Sequence, residues 1–104
     1  MSCVFCDILE KKVEAKVVSE REKFIAFRDI HPKAPTHLLL IPRKHIESVN
    51  HLKREDAELM GELFLFAKEV ALEQGLEGYN LQINVGKKGG QIIDHIHVHL
   101  MGSK

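Results

Sequence analysis

Three histidines alternate with aliphatic residues near the C-terminus, in the segment His95-Ile96-His97-Val98-His99-Leu100. In an extended strand, successive side chains point to opposite faces of the sheet. The three imidazoles should therefore project from one face, while Ile96, Val98 and Leu100 pack into a core on the other. This pattern predicts a sheet with one apolar face and one face that carries a chemical site.

The composition indicates an ordinary globular protein in one domain over residues 1–104. Hydrophobic residues make up 44% and charged residues 29% of the chain, and the formal net charge is zero. A neutral chain lacks the basic surface of a general nucleic-acid binder, and we expect no membrane partner either. The N-terminus has no basic segment followed by an apolar one, so we expect no signal peptide and a cytoplasmic location.

The hydrophobic periodicity predicts an α+β fold. Strands that follow one another through short turns, with one long helix and a short N-terminal helix, favour an antiparallel sheet. Gly75 or Gly78 should end the long helix, and Pro42 should end the third strand. The predicted elements are a short helix over 6–11, strands over 16–20, 24–28, 37–41, 79–85 and 91–101, and a long helix over 55–74.

A glycine-rich loop precedes the histidine segment and contains Gly86, Gly89 and Gly90. Glycines allow backbone N–H groups to approach a phosphate closely, and Asn84 and Gln91 add polar side chains. The loop is not a Walker-type phosphate loop, because no helix follows it. The alternative is that these glycines only turn the chain. The adjacent row of histidines favours the anion site.

Cys3-Val4-Phe5-Cys6 is a C-x-x-C motif, whose spacing lets both sulfurs reach one ion. In a reducing compartment such a pair favours a metal site or a thiol pair over a structural disulfide. A redox pair, or two free thiols without a metal, is the alternative.

Several segments together resemble the histidine-triad (HIT) family. The segment from His95 to Met101 matches the alternating His signature of that family, and Asn84 with Gly89-Gly90-Gln91 matches the approach to it. Three earlier segments look like the Hint branch, whose members are nucleoside phosphoramidate hydrolases. They are Ala26-Phe27-Arg28-Asp29-Ile30, Pro32-Lys33-Ala34-Pro35-Thr36-His37 and Ile41-Pro42-Arg43-Lys44-His45-Ile46.

The resemblance implies a HIT-like fold with an antiparallel half-barrel sheet, a homodimer and a set of site residues. His97 would attack the phosphorus of a nucleoside 5′-phosphoramidate and form a covalent nucleotidyl-histidine. His99 would contact the phosphate and assist proton transfer, and His37 would lie near the nucleophile. The implied nucleotide-binding residues, with a purine as the expected base, are Phe5, Ile8, Phe27, Asp29, Ile30, Asn84, Gly90, Gln91 and Ile92.

The resemblance also implies a zinc site. Zinc-bearing relatives combine the C-x-x-C pair with two histidines, which correspond here to His45 and His95. The predicted ligands are thus Cys3, Cys6, His45 and His95. Because a Cys₂His₂ set leaves no open coordination position, the zinc would be structural, and no organic cofactor is expected.

Three other functions remain open at this stage. A dinucleoside polyphosphate hydrolase would use the same catalytic histidines. A nucleotide-binding module would hold a purine nucleotide with little turnover. In a metal enzyme, the triad itself would hold the ion. Two departures from the Hint pattern, Ile92 and Asp94, put the preference for the leaving group in doubt.

Overall fold

The computed structural model describes residues 3–104; Met1 and Ser2, which the single-domain prediction includes, lie outside the described residues. The described chain forms a five-stranded antiparallel sheet with strand order β1-β2-β3-β5-β4. The predicted α+β class is confirmed. The elements in chain order are α1 (Val4–Leu9), β1 (Val17–Glu20), β2 (Phe24–Arg28), β3 (Thr36–Pro42), α2 (Ala57–Glu73), β4 (Tyr79–Gln82) and β5 (Val98–Gly102).

The two faces of the sheet have separate hydrophobic clusters. On one face, residues of β2, β3 and β5 such as Ala26, Leu40 and Leu100 pack against α2. On the other face, a smaller cluster packs against α1; its buried members are Phe5, Ile25, Phe27, Leu39 and Ile41. We call these the α2 face and the histidine face. Leu39 pairs with His99 across the β3–β5 ladder, which places the histidines on the same face as α1.

Helix α2 has a defined beginning and end. The Lys53 N–H donates to the Asp56 carboxylate at 2.9 Å just before the helix, and the Lys44 ammonium donates to the same carboxylate at 2.7 Å. At the C-terminus, Gly75 adopts a φ of 74° and the Leu76 N–H donates to the Ala71 carbonyl at 3.0 Å. Of the two glycines predicted to end the helix, Gly75 therefore does so. Among the described residues, no helix has the length and apolar character needed to cross a membrane.

Helix α1 has six residues and begins earlier than predicted, because Cys3 caps it. The Cys3 Sγ accepts a hydrogen bond from the Cys6 N–H at 3.3 Å. Its buried residue, Phe5, packs edge-on against Phe27 with ring centroids 5.4 Å apart. Because isolated helices of this length are not stable in water, α1 depends on these tertiary contacts.

The prediction of a long histidine strand over 91–101 is wrong in its first half. Strand β5 begins at Val98, so His95 and His97 lie in the segment that leads into it. The His95 N–H donates to the Ile93 carbonyl at 2.9 Å, which turns the chain away from the ladder. Ile96 and Val98 are nevertheless buried, as the alternation predicts. Strand β4 also ends early, at Gln82 instead of residue 85.

Candidate functional site

The tautomer of His97 is determined by its backbone neighbour. The His97 Nδ1 lies 2.7 Å from the His95 carbonyl oxygen, which can only accept a hydrogen bond. The proton of the neutral ring is therefore on Nδ1, and Nε2 carries the lone pair. Within the part of the chain that the structure describes, Nε2 has no hydrogen-bond partner. Burial lowers the pKa of His97, which keeps the ring neutral at neutral pH.

His37 and His99 form the second half of the histidine cluster. The Lys33 N–H donates to Nδ1 of His37 at 3.0 Å, so the proton of the neutral His37 ring is on Nε2. Nε2 of His37 is 2.9 Å from Nδ1 of His99. His37 therefore donates to His99, whose own proton must be on Nε2. The sequence predicts that His37 lies near the nucleophile, whereas its hydrogen bond goes to His99.

Burial, together with the neighbouring His97 and His37, lowers the pKa of His99 to about 4. His97 and His99 have ring centroids 5.1 Å apart. In the free protein His99 is thus a neutral N–H donor next to the neutral ring of His97. An anion bound between the two rings would favour the charged form of the closer ring.

Asp29 connects this cluster to its surroundings. Its Oδ1 accepts a hydrogen bond from the His31 N–H at 2.8 Å, and its Oδ2 is 3.3 Å from Nε2 of His37. Asp29, His37 and His99 also bring their ligand atoms within 4.8 Å of one another, as metal ligands do. Coordination through Nε2 of His37 would move its proton to Nδ1, where it would face the Lys33 N–H. The hydrogen bonds therefore oppose a catalytic metal in this position.

The four predicted zinc ligands lie in a separate cluster. The Nδ1 atoms of His45 and His95 are 3.2 Å apart, and Cys6 Sγ is 3.3 Å from Nδ1 of His45. Nδ1 of His95 is 3.5 Å from Cys3 Sγ and 3.7 Å from Cys6 Sγ. In a regular zinc tetrahedron, two nitrogens are about 3.3 Å apart and a nitrogen and a sulfur about 3.5 Å apart. The four donor atoms therefore fit a tetrahedral ion.

The protonation of the cluster supports the same fit. Nε2 of His95 donates to the Pro42 carbonyl at 2.8 Å, which leaves Nδ1 free to bind a metal. Burial lowers the pKa of His95, so the ring is neutral as a ligand must be. Burial and the adjacent Cys3 raise the pKa of Cys6 to about 11, so metal binding would release its proton. Nε2 of His45 is buried and has no hydrogen-bond partner among the described residues.

A cavity of about 820 Å³ opens between α1, the 11–16 segment and strands β1 and β2. Of the predicted nucleotide-binding residues, Ile8, Asp29 and Ile30 line this cavity, whereas Phe5 and Phe27 are buried in the adjoining cluster of the histidine face. Its volume is in the range of small-ligand pockets. Asp29 lines the cavity and also approaches His37, so it connects the cavity wall to the histidine cluster.

Leu9 and Arg28 are among the residues of the cavity wall that the sequence did not predict. Leu9 follows Ile8 on α1, and Arg28 is the last residue of β2, immediately before Asp29. Their positions next to predicted site residues were the available signal. Neither residue belongs to a recognisable motif by itself.

The glycine-rich loop is braced by the two polar side chains that were predicted to bind phosphate. The Asn84 amide donates to the Gly89 carbonyl at 2.8 Å. The buried Gln91 side chain accepts from the Gly86 N–H at 2.9 Å and donates to the Glu47 and Ile93 carbonyls. Both side chains therefore shape the loop from within.

Gly90 and Ile92 differ in how strongly the loop constrains them. Gly90 has a φ of 89°, and a Cβ there would lie 3.2 Å from the Asn84 amide nitrogen, so the position favours glycine. The side chain of Ile92 is 89% exposed, so it forms no part of a pocket wall. A phosphate at this loop would therefore meet backbone groups.

Comparisons with known proteins extend over the whole described chain. Residues 2–104 match the family described as scavenger mRNA decapping enzyme C-term binding. The chain is 43% identical to Protein HitA of Neisseria gonorrhoeae over 103 residues, which cover 98% of this chain and 96% of that protein. It is 39% identical over 102 residues to an uncharacterized HIT-like protein of Synechococcus elongatus, with 97% and 90% covered.

Solved structures of histidine triad proteins also superimpose on this chain. A HIT family hydrolase from Legionella pneumophila superimposes with a TM-score of 0.95 at 46% identity, covering 99% of this chain and 94% of that one. A Zn-bound histidine triad family protein from Mycobacterium smegmatis superimposes with a TM-score of 0.83 at 32% identity, covering 100% and 76%.

Proposed function

The chain belongs to the histidine-triad family, and from that premise we propose that it is a nucleoside phosphoramidate hydrolase of the Hint branch. The observation that carries the proposal is the hydrogen bond from Nδ1 of His97 to the His95 carbonyl. It leaves the lone pair of a neutral imidazole on Nε2, which is the form that a nucleophile requires. The hydrolase relative from Legionella pneumophila adds support.

In the first step, Nε2 of His97 attacks the phosphorus of the nucleotide. A bond forms between Nε2 and phosphorus, and the bond from phosphorus to the amine nitrogen breaks. The amine leaves with a proton, for which His99 is the proposed donor: a bound phosphate favours its imidazolium, which can protonate the leaving nitrogen. Placing nucleophile and phosphate together can remove roughly 7–11 kcal/mol of the barrier.

In the second step, water attacks the phosphorus of the nucleotidyl-histidine. The bond to Nε2 breaks, the water gives up a proton that returns to the neutral His99, the nucleoside monophosphate leaves, and His97 returns to its neutral form. Backbone N–H groups of the glycine-rich loop, from Gly90 to Ile92, are the proposed donors to the phosphoryl oxygens. The Gly90 and Gln91 N–H groups already donate to the Lys87 and Gly86 carbonyls, each at 3.0 Å, so the Ile92 N–H carries this role first.

The nucleoside would occupy the cavity next to α1. Asp29 lines the cavity and is the proposed acceptor for the ribose hydroxyls, while Ile8 and Ile30 provide apolar contacts to a purine base. Phe5 and Phe27 support this wall from the buried cluster. The cavity volume of about 820 Å³ leaves room for a nucleoside.

We propose zinc as the metal held by Cys3, Cys6, His45 and His95. The ion would supply structural cross-linking of three chain segments and no open position for substrate. The Zn-bound relative from Mycobacterium smegmatis supports the choice of metal.

We further propose that two copies associate through α2 and the adjacent edge of the sheet. Phe64, Leu65 and Leu72 are 47%, 56% and 78% exposed on α2. Strand β4 is an edge strand whose Leu81 is 38% exposed, and edges of this kind favour pairing. A second copy of the chain would cover both features at once. The expected cytoplasmic location remains a prediction.

The direct test is mass spectrometry of the protein quenched during turnover of an adenosine 5′-phosphoramidate. We expect an adenylyl adduct on His97 in the wild type and none in His97→Ala, which should keep its fold and its affinity for AMP. Normal turnover by His97→Ala would contradict the assignment. Faster turnover of a dinucleoside polyphosphate than of the phosphoramidate would favour that alternative substrate. AMP binding without any adduct would indicate a nucleotide-binding module.

A further inference from the structure

Helix α1 contacts the metal cluster, the nucleophile and the nucleoside cavity within six residues. Cys3 and Cys6 provide two of the four sulfur and nitrogen donors. The Phe5 ring packs edge-on against His97, with centroids 5.1 Å apart and planes at 88°. Ile8 lines the cavity. From this arrangement we propose that metal binding and nucleotide binding are positively coupled through α1, with Phe5 as the residue that positions His97.

The metal end of α1 gives the helix its place on the sheet. The two donors outside the helix, His45 and His95, come from the segments after β3 and before β5. A six-residue helix has too few internal hydrogen bonds to persist alone. An ion shared by Cys3, Cys6 and the two histidines would therefore fix both the position and the order of α1.

The other end of α1 forms part of the ligand site. Ile8 and Leu9 line the cavity that we assign to the nucleoside. Phe5 is only 5% exposed and lies between His97, His95 and Phe27, at centroid distances of 5.1, 5.9 and 5.4 Å. If α1 loosens, the cavity loses one wall and His97 loses the ring that packs against it.

These contacts define a thermodynamic linkage. A nucleotide that touches α1 binds better to the ordered helix than to a loosened one, and the metal also binds the ordered helix better. Each ligand must then strengthen the binding of the other by the same factor. This inference rests on the proposed nucleotide site, but it can fail while that site stands.

The experiment uses the full chain with zinc and after removal of zinc with a chelator. Calorimetry measures the Kd for AMP in both forms, and competition with a chromophoric chelator measures the Kd for zinc with and without saturating AMP. We expect zinc to lower the Kd for AMP about 5-fold or more, and AMP to lower the Kd for zinc by an equal factor. Circular dichroism should show that the zinc-free chain keeps its strands and α2.

A matched pair of variants identifies the route of coupling. Phe5→Leu should reduce the coupling factor toward one while zinc still binds its four ligands. Phe24→Leu is the control, because Phe24 is equally buried, 4% exposed, but stacks on Phe66 on the α2 face. It should lower stability and leave the coupling factor unchanged.

Each other outcome contradicts the inference in a distinct way. Equal Kd values for AMP with and without zinc would overturn the coupling and leave the proposed function intact. Absence of AMP binding in both forms would overturn the proposed function and the coupling together. Failure to bind zinc would also overturn the coupling, and unfolding of the whole chain on its removal would overturn the route through α1. Equal loss of coupling in both variants would remove the role assigned to Phe5.

Discussion

The carbonyl of His95 accepts a hydrogen bond from Nδ1 of His97 at 2.7 Å. One residue thus uses its side chain in the metal cluster and its backbone to fix the tautomer of the proposed nucleophile. Because the two functions belong to adjacent groups of the same residue, a shift of His95 alters the direction of the lone pair on His97. His97 follows His95 by two positions, which brings this carbonyl within reach of the His97 ring.

His37 should orient His99 without touching the substrate. We expect His37→Ala to lower kcat about 10- to 100-fold with a smaller change in KM, because His99 loses the donor that fixes its tautomer. Steady-state kinetics with an adenosine phosphoramidate measures both constants. His31→Ala is the control, since His31 is exposed and contributes its backbone N–H to Asp29. An unchanged kcat in His37→Ala would contradict the role.

The depressed pKa of His99 makes folding stability depend on pH. The folded protein holds the His99 pKa at about 4, whereas an unfolded histidine titrates near pH 6.5. Between these values the unfolded chain binds more protons, so the free energy of unfolding should fall as the pH falls from about 6.5 toward 4. The groups around His99 that contribute are His97, His37, Asp29 and Lys33.

Urea unfolding at pH 7 and pH 5, with a chelator present in both, measures this dependence. His99→Gln should lose less stability than the wild type over the same interval, because the titrating ring is absent. The same pH dependence in both proteins would show that His99 does not contribute to it.

Cys6→Ser should remove one zinc ligand and destabilise the fold. We expect the bound zinc to fall well below one per chain and Tm to fall by about 10 °C, which corresponds to about 2 kcal/mol in a domain of this size. Metal analysis and thermal unfolding provide the measurements. A chelator should lower the Tm of the wild type to a similar value and hardly affect the variant. A wild type with no chelator response would contradict the metal assignment.

Gln91→Ala should loosen the glycine-rich loop. The substitution leaves the Gly86 N–H and two carbonyls without their partner, so we expect a loss of about 1–3 kcal/mol in the free energy of unfolding. KM for the nucleotide should rise more than kcat falls. Gln82→Ala removes an exposed amide on β4 and should change stability by less than about 0.5 kcal/mol. Similar losses in the two variants would exclude a specific role for Gln91.

Phe64→Glu should separate the proposed dimer without affecting the histidine face. The exposed Phe64 ring lies on α2, on the opposite side of the sheet from the histidine cluster. Light scattering after gel filtration should give a dimer for the wild type and a monomer for the variant. Val13→Glu, which changes an exposed valine at the cavity rim, is the control and should remain dimeric. A monomeric wild type would refute the dimer.

Local patterns predicted much of this fold, because they act over a few residues. The alternation around His97 predicted which side chains are buried, and the sequence placed β2, β3 and α2 within two residues of their observed ends. It failed between residues 91 and 97, where a backbone bond from Ile96 to Ile46 replaces the strand ladder. A contact across fifty residues leaves no periodic signal.

The sequence also predicted only part of the candidate site. The resemblance supplied the residue types of the metal cluster, and the structure brings Cys3, Cys6, His45 and His95 together. It could not supply the direction of hydrogen bonds, which depends on the backbone N–H of Lys33 and on tautomers that only the assembled fold determines. The sequence likewise could not show that the Gln91 side-chain amide faces into the loop, where it bonds to backbone groups.

The separation of the two hydrophobic clusters has a consequence for evolvability. Substitutions that widen the cavity or alter Ile8 act on the smaller cluster, while Leu40, Leu100 and α2 form the larger one. Substitutions selected for a new leaving group or base can therefore accumulate on one side of the sheet before the fraction of folded protein declines. Stabilising substitutions chosen on the α2 side would widen that margin without altering the proposed nucleotide cavity.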